Sequence, residues 1–383
     1  MAAIHLPRTI RIGGGVLDEL PEVLAAAGLS RPLIVTDSWM ESSGLLSRVE
    51  GLLGAAGIAS RAFTGVVPDP TVTSIEAGCA FLSGADHDCV IGLGGGSPID
   101  SAKMIAVKRD RTIPALKAPH QEDAPGLPII AIPTTAGTGS ESTHFTVITD
   151  AETDEKMLCA GLAYLPQIAV VDYELTLSKP MRLTADTGID SLVHAVEAYV
   201  SKRANPFADS MALSAMRLIW LNLPRACADP QDRAAREALM LGALQAGIAF
   251  SNSSVALVHG MSRPIGAHFH VSHGLSNAML FPAITQWSAP AALPRYAACA
   301  RAMTLASEAE SDQSAVGALI EALYTINTSL KVPSPAAYGI ARDRWDELAP
   351  LMAAQALASG SPSNNPRVPQ EDEIIALYGQ LWD

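Results

Sequence analysis

The chain has 383 residues, of which 49% are hydrophobic and 17% charged, which excludes a disordered protein and leaves room for two domains with their own cores. Its formal net charge of −13 at pH 7 argues against a nucleic-acid partner and an anionic membrane surface, because binding phosphate groups needs a basic face. The five cysteines are scattered without a C-x-x-C pair, the N-terminus lacks an apolar signal-peptide core, and no apolar run could span a bilayer. We therefore expect a reduced, cytoplasmic protein.

The first half of the chain alternates between strand-like and helical stretches. Strand-like runs at 32–36, 89–94, 128–134 and 168–172 predict a mainly parallel sheet, because helical stretches lie between several of them. From about Leu183 the strand pattern ends and long Ala/Leu-rich helical stretches follow. The sequence therefore predicts an α/β domain at residues 1–179 and a helical domain at residues 180–383.

Asp37 follows the strand-like run at 32–36. In nucleotide-binding α/β folds, an acidic residue at this strand end hydrogen-bonds the adenosine ribose and repels a 2′-phosphate. On this interpretation the protein prefers NAD to NADP. The alternative is an ordinary N-cap or turn aspartate that serves only the local backbone.

A glycine-rich turn follows the apolar strand at 89–94. After Gly94, Gly95 and Gly96, the pattern places Ser97 at the N-cap and a proline at the first position of a helix. Glycines let the backbone approach a ligand closely, and the helix N-terminus offers free N–H groups and a positive dipole end, which suits a pyrophosphate. The turn is neither a P-loop nor a G-x-G-x-x-G fingerprint, and many strand-to-helix turns carry glycine for geometry alone.

The strand-like run at 128–134 leads into a loop dense in hydroxyl groups. Its candidate ligand-binding side chains are Thr134, Thr135, Thr138 and Ser140. Strand ends that feed such loops bind ligands in α/β domains. The alternative is a surface loop, because clusters of serine, threonine and glycine are usually just that.

One aspartate and three histidines in the second half form a candidate metal site. Asp190 and His194 lie four residues apart in a helical pattern, so both side chains leave the same face. His259 lies on a second apolar stretch, and His273 follows fourteen residues later. One carboxylate oxygen and three imidazole nitrogens suit Fe(II) or Zn(II), with room for a substrate oxygen. The alternative is a set of hydrogen-bonded core histidines with a chance spacing.

Several motifs in a fixed order carry a family resemblance over nearly the whole chain. They include GGGSPIDSAK at 94–103, IPTTAGTGSE at 132–141, RLTADTGIDSLVHAVEAYVS at 182–201 and HGLSNAMLFP at 273–282. With these motifs the chain resembles the iron-containing, or group III, alcohol dehydrogenases. The resemblance implies the dehydroquinate synthase-like fold of that family: a Rossmann-like α/β domain that binds NAD(P), an all-α domain that carries the metal, and a site in the cleft between them. It also implies a homodimer.

The resemblance assigns roles to individual residues. The metal ligands fall on Asp190, His194, His259 and His273. The pyrophosphate turn falls on Gly94, Gly95, Gly96 and Ser97, followed by Asp100. Contacts to the nicotinamide and its ribose fall on Thr134, Thr135 and Thr138, and Glu197 is expected to support the site.

Arg263 is a departure from the family pattern, which usually has a second histidine four residues after the third metal ligand. An arginine offers a fork of donors that matches a carboxylate, so we predict an anionic group on the substrate or its oxidised product. The alternative is that Arg263 pairs with a local acid or a cofactor phosphate. His270, or its neighbour His268, could replace the missing histidine as a proton relay; the alternative is that both are ordinary polar residues.

These observations predict a metal-dependent, NAD(P)-linked dehydrogenase or aldehyde reductase that acts on a small primary or secondary alcohol or a hydroxy acid. A maleylacetate reductase-like enzyme with an acidic substrate is one alternative, although it is expected to lack the full Asp/His set. A dehydroquinate synthase-like lyase is another, but its basic phosphate pocket is not evident. A non-enzymatic metal- or nucleotide-binding protein is the third.

Overall fold

The computed structural model describes residues 2–153 and 155–382. The chain divides into two compact units. One unit comprises His5–Ser178, and the other begins at Lys179 and includes the N-terminal residues up to Ile4. Within the described residues, no helix is long and apolar enough to cross a membrane.

The unit His5–Ser178 is built on a six-stranded parallel sheet with the strand order β1-β8-β5-β4-β2-β3. The strands of this unit are β1 (Thr9–Ile12), β2 (Pro32–Asp37), β3 (Arg61–Val66), β4 (Cys89–Gly94), β5 (Ile129–Pro133), β6 (Phe145–Asp150), β7 (Glu155–Ala160) and β8 (Ile168–Val171). Strands β6 and β7 form a separate antiparallel pair. The predicted parallel sheet is confirmed, whereas β1, β3 and the β6–β7 pair were not predicted.

Alternate residues of the central strands supply two separate hydrophobic cores. Ile34 and Ile91 belong to one core, and their neighbours Leu33 and Val90 belong to the other. Because both faces of the sheet are covered, β2 and β4 are buried at nearly every position and are mostly apolar, as is typical of parallel sheets. Strands β5, β4 and β2 are adjacent and parallel, so their carboxyl ends lie along one edge of the sheet. Ligands bind at this edge in such folds.

The α-helices in the described part of this unit are α1 (Leu20–Ala26), α2 (Ser38–Ser42), α3 (Leu45–Ala55), α4 (Val72–Ser83) and α5 (Gly96–Val107). The sequence predicted Ser97 as the N-cap of α5, and this prediction was wrong by two residues. Its N-cap is Gly95, which has no side-chain cap, and Ser97 lies inside the first turn. The reason is the turn itself: Gly94 adopts φ +146°, and Gly95 is extended, so the chain reaches helical geometry at Gly96.

The second unit is helical, and no strand occurs between residues 179 and 382. Its helices are α6 (Met181–Val200), α7 (Pro206–Ala228), α8 (Arg233–Ser251), α9 (Leu257–Phe269), α10 (His273–Ser288), α11 (Leu293–Ala302), α12 (Asp312–Ser329), α13 (Pro335–Tyr338), α14 (Arg342–Ala358) and α15 (Glu371–Gln380). The prediction of an all-α domain is confirmed. Helix α6 is buried along most of its length and packs against α7, α8 and α10, which makes it the central helix of the unit.

Candidate metal centre and nucleotide-binding residues

Three helices bring the four predicted metal ligands together. Asp190 and His194 lie one turn apart on α6, His259 lies in the first turn of α9, and His273 is the first residue of α10. Each of the four offers one ligand atom, and these atoms all lie within 4.8 Å of one another. The i,i+4 spacing explains the first pair, whereas the packing of α9 and α10 onto α6 supplies the other two.

The cluster is buried on one side and accessible on the other. Nε2 of His259 lies 3.6 Å from Oδ1 of Asp190, and Nε2 of His273 lies 3.8 Å from the same oxygen. The His194 ring stacks on Phe250 with 4.3 Å between ring centroids. Asp190, His194 and His259 are buried, but the His273 side chain is 38% exposed. A small ligand therefore reaches the cluster most directly beside His273.

The electrostatics of the cluster favour a cation. Burial lowers the pKa of His194 to about 3, against the opposing effect of Asp190, so this imidazole is neutral at pH 7 and keeps a lone pair for a ligand. Burial would raise the pKa of Asp190, but the neighbouring histidines hold it below its usual range and keep it ionised. Nδ1 of His194 is also buried without a hydrogen-bond partner among the described residues. This donor set fits a divalent first-row ion.

Glu197 orients one of the candidate ligands. Its carboxylate accepts hydrogen bonds from Nδ1 of His259 at 2.7 Å and from the backbone N–H groups of Ala256 and Val258 at 2.8 and 2.6 Å. Because a carboxylate only accepts, Nδ1 of His259 carries the proton and its Nε2 lone pair faces the cluster. The same contacts cap the N-terminus of α9, which has no side-chain cap of its own. These contacts are compatible with the supporting role expected for Glu197, which stays a prediction.

Asn277 was missed by the sequence reasoning. It lies on α10, four residues after His273, and is fully buried. Its Nδ2 donates to Oδ1 of Asp190 at 2.6 Å and lies 3.3 Å from Nε2 of His259 and 3.2 Å from Nε2 of His273. The i,i+4 spacing from His273 in HGLSN was the available signal.

Arg263 lies one turn after His259 on α9 and is half-buried. Its Nη1 donates to Oγ of Ser361 at 2.9 Å, and it forms no ion pair with any carboxylate of the described chain. The alternative of a local acidic partner is therefore not observed. The positive charge of Arg263 is one of the minor influences that lower the pKa of His194, after burial.

The two candidate relay histidines differ in their surroundings. His270 is exposed at the C-cap of α9, in the left-handed conformation with φ +54°. Nε2 of His268 lies 2.8 Å from Oε1 of Gln355. The proposed relay role of His270 stays a prediction.

The glycine turn and the hydroxyl loop of the α/β unit touch each other. The backbone N–H of Thr134 donates to the Gly94 carbonyl at 2.9 Å. A Cβ atom added at Gly96 would lie 2.9 Å from Cγ2 of Thr138, and one at Gly95 would lie 3.5 Å from Oγ1 of Thr135. The two segments predicted to hold a dinucleotide thus form one continuous surface, in which glycine leaves room that a side chain would fill.

Three of the polar residues predicted to bind the cofactor already have partners within the protein. Asp100 accepts from Oγ of Ser140 at 2.6 Å and from the Val147 N–H at 2.9 Å. Asp37 is the N-cap of α2 and accepts from the Met40 N–H at 3.0 Å. The N-cap alternative is thus observed for Asp37, and roles for these residues in cofactor binding stay predictions. By contrast, Oγ1 of Thr134 is buried without a hydrogen-bond partner among the described residues.

Comparison with known families matches both units. The model of the family "Iron-containing alcohol dehydrogenase" matches residues 7–173. The model "Fe-containing alcohol dehydrogenase family, C-terminal" matches residues 184–382. Together these matches span nearly the whole chain.

Individual proteins are similar over the same length. Lactaldehyde reductase of Escherichia coli strain K12 is 33% identical over 381 residues, covering 98% of each chain. The crystal structure of a 1,3-propanediol oxidoreductase superposes with a TM-score of 0.95 at 32% identity and covers 100% of both chains. A sulfoacetaldehyde reductase from Bifidobacterium kashiwanohense, solved in complex with NAD+, gives a TM-score of 0.89 at 28% identity, covering 100% of this chain and 99% of that one.

Proposed function

This chain belongs to the iron-containing alcohol dehydrogenase family, an oxidoreductase family, and from that premise we propose that it transfers a hydride between a small primary or secondary alcohol and NAD. The observation that carries the proposal is the buried cluster of Asp190, His194, His259 and His273. A carboxylate with three imidazoles on a rigid helical unit can hold a metal and leave one side open for a substrate oxygen.

A bound Fe(II) or Zn(II) ion would supply Lewis-acid polarisation of the alcohol or carbonyl oxygen. The chain contributes the rest. Asp190 supplies the negative charge of the centre, and Glu197 fixes the ring of His259. The N-terminus of α5 offers backbone donors for a pyrophosphate, and the Thr134 hydroxyl, which has no hydrogen-bond partner in the described part of the chain, is proposed to serve the nicotinamide half of the cofactor.

NAD is the proposed cofactor rather than NADP. Asp37 lies at the carboxyl end of β2, where a carboxylate repels a 2′-phosphate. The reductase from Bifidobacterium kashiwanohense, with the same fold, was solved with NAD+. Asp37→Gly is expected to raise the ratio of kcat/KM with NADP to that with NAD by about tenfold, since about 1.4 kcal/mol of repulsion corresponds to that factor. An unchanged ratio would reject this role for Asp37.

The substrate is proposed to carry an anionic group beside Arg263, as in a hydroxy acid. The guanidinium is half-buried, donates to the neutral hydroxyl of Ser361 and lies one turn from His259. Among the described residues this cation forms no ion pair, although the charge of Glu197 acts on it, and it is therefore available to an incoming anion. One protein of the same fold is a reductase of sulfoacetaldehyde, an aldehyde with a sulfonate group. A maleylacetate reductase-like reaction would also use an acidic substrate, but we favour the metal-dependent reaction because the ligand set is complete.

We also propose that the protein works as a homodimer in the cytoplasm, with small molecules as its partners. The net charge of −13 supports the lack of a nucleic-acid or membrane partner, because anionic surfaces repel one another.

Metal-dependent turnover tests the proposal. Protein depleted of metal is assayed for NADH formation with short alcohols and with 2- and ω-hydroxy acids, before and after adding Fe(II) or Zn(II). Turnover is expected only after metal is restored. It should be lost in His259→Ala but retained in His87→Ala, a matched change in the α/β unit at a residue whose ring contacts the Arg31 carbonyl. Tight NAD binding without turnover under either metal would contradict the dehydrogenase function and favour a lyase.

A further inference from the structure

Helix α5 carries a stripe of residues that contacts the hydroxyl loop and the chain that follows it. Gly96, Asp100 and Lys103 follow one another at spacings of four and three residues, so they lie on the same face of the helix. A Cβ atom at Gly96 would meet the side chain of Thr138 in the loop. The two polar residues of the stripe contact the chain farther along, from Ser140 onward. No role described so far uses Lys103.

Lys103 is fully buried, and its ammonium group is completely paired within the protein. Its Nζ donates to the carbonyl oxygen of Thr143 at 3.0 Å, to Oγ1 of the same residue at 3.0 Å and to the carbonyl oxygen of Phe145 at 2.7 Å. An ammonium group has three hydrogens, so these three acceptors use all of them. Lys103 is therefore not placed to bind a cofactor phosphate directly, since it has neither a spare donor nor access to a ligand.

Lys103 keeps its charge in this buried place. Burial lowers its pKa to about 8, against the opposing effects of Asp100 and Glu141, so the ammonium group is protonated at pH 7. A buried charge is tolerated when it is hydrogen-bonded and lies near an opposite charge. Because charge-assisted hydrogen bonds are stronger than neutral ones, the bonds from Lys103 hold residues 143–145 firmly against α5.

Asp100 holds the same part of the chain one turn earlier on α5. Its carboxylate accepts from Oγ of Ser140 at 2.6 Å and from the Val147 N–H at 2.9 Å. Its backbone carbonyl accepts from Oγ1 of Thr146 at 2.9 Å. The chain from residue 140 to residue 147 is thus fastened to one helix.

The hydroxyl loop is therefore fixed at both of its ends. At its start, β5 pairs with β4, and the Thr134 N–H donates to the Gly94 carbonyl at 2.9 Å. At its end, Ser140 bonds Asp100, and the residues that follow bond Lys103. The helix whose N-terminus is proposed to hold the pyrophosphate thus also sets the position of the loop that is proposed to hold the nicotinamide.

We propose that Lys103 is a positioning residue for NAD. Without touching the cofactor, it holds the far end of the hydroxyl loop so that Thr134, Thr135 and Thr138 face the nicotinamide and its ribose. Asp100 serves the same end through its bond to the loop. The inference rests on the proposed function, because it requires that this surface binds NAD. Binding groups lose affinity when the residues that support them no longer fix their position.

NAD and ADP serve as probes in calorimetric titrations of the full-length protein, because ADP keeps the pyrophosphate but lacks the nicotinamide and its ribose. Lys103→Met is expected to raise the Kd for NAD by about tenfold, since a displaced loop loses its contacts to the nicotinamide half. The Kd for ADP should change little. Lys108→Met is the matched control: Lys108 is the buried C-cap of the same helix, but its ammonium group pairs with Glu76. This variant should bind both ligands as the wild type does.

Thr143→Val serves if Lys103→Met does not fold. It removes one acceptor of the Lys103 bonds with little change of shape, so it should raise the Kd for NAD by about threefold and leave that for ADP unchanged. Unchanged NAD affinity in the variant that folds, or an equal loss of ADP affinity, would overturn the proposal, because the lysine would then only support the fold. Failure of the wild-type protein to bind NAD would instead contradict the proposed function itself.

Discussion

The metal cluster and the proposed nucleotide-binding surface are built from different parts of the chain. In the helical unit, side chains form the site: a carboxylate and three imidazoles converge, and Glu197 holds one of them in place. In the α/β unit, the proposed nucleotide surface is formed mainly by backbone: a glycine turn, a helix N-terminus and the hydroxyl loop. The side chains of Asp100 and Ser140 there bond each other.

This difference determines how each site should respond to substitution. The metal site depends on the chemical identity of a few side chains and on the groups that orient them, so small chemical changes should have large effects. The nucleotide surface depends on free space over the backbone, so added volume should matter more than the loss of a polar group. The predictions below test this contrast.

Glu197→Gln is expected to weaken the metal site while leaving the proposed nucleotide surface intact. The amide keeps the size of the carboxylate, but it removes the charge that holds Nδ1 of His259 and caps α9. We expect Zn(II) affinity to fall by about 10–100-fold, measured by competition with a chelator, while NAD binding changes little. Glu321→Gln, at an exposed position of the same unit, is the control. Unchanged Zn(II) affinity in Glu197→Gln would show that orientation by this carboxylate does not matter.

Gly96→Val should produce the opposite pattern. Its Cβ would lie 2.9 Å from Cγ2 of Thr138, so the Thr138 side chain or the loop that carries it must shift, at a cost of about 1–3 kcal/mol, and the valine would also fill the space over the turn. The Kd for NAD in a calorimetric titration should rise by about 10–100-fold, with Zn(II) affinity unchanged. Gly51→Val adds the same side chain where nothing lies within 4 Å of the new Cβ and should bind NAD normally. Equal NAD affinity in both variants would argue against the glycine turn as a binding surface.

The two regions also differ in how much of them could be predicted from sequence. Central strands β4 and β5 were predicted because they are apolar at every position. The edge strands β1 and β3 were missed because each is partly exposed and lacks a continuous apolar run. The same limit applied to the β6–β7 pair, whose burial is mixed.

Side-chain chemistry identified most of the metal cluster, because an aspartate and three histidines at these spacings already suggest a metal. Asn277 was missed because an asparagine in an apolar helix has many ordinary explanations, and only the packing of α10 against α6 places it beside Asp190. The N-cap of α5 was misplaced because the preference of serine for N-caps was outweighed by backbone geometry at Gly94 and Gly95. Residue preferences alone do not reveal the backbone angles that the two glycines adopt.

Arg263→Met tests whether the metal site also has a side chain that selects the substrate. The loss of a charge-assisted contact of about 1.5–3 kcal/mol should lower kcat/KM for a hydroxy acid by about 10–100-fold, mainly through KM. A neutral alcohol of similar size should be affected less than about threefold, since it has no anionic group to lose a partner. Arg344→Met, an exposed arginine paired with Glu347 on α14, is the control. Equal losses for acid and alcohol would reject the anionic-substrate proposal.

Glu141→Gln tests the cost of a buried charge that, unlike those of the metal cluster, forms no ion pair within the described chain. Burial raises the pKa of Glu141 from 4.5 to about 7, against the opposing effects of a backbone hydrogen bond and Lys103. The folded protein therefore keeps this proton to a higher pH than the unfolded chain, so stability falls as pH rises from about 4.5 to about 7 and stays reduced above that. Glutamine removes this loss.

The variant should therefore gain Tm relative to wild type at pH 8 but not at pH 5, by about 2–4 °C for each 1 kcal/mol recovered. Thermal unfolding of the metal-free protein at both pH values measures the difference, with the exposed Glu22→Gln as control. The same gain at pH 5 and pH 8 would mean that glutamine improves packing rather than removing an unpaired charge. A gain confined to pH 8 would show that ionisation of the buried Glu141 carboxylate lowers the stability of the wild-type α/β unit.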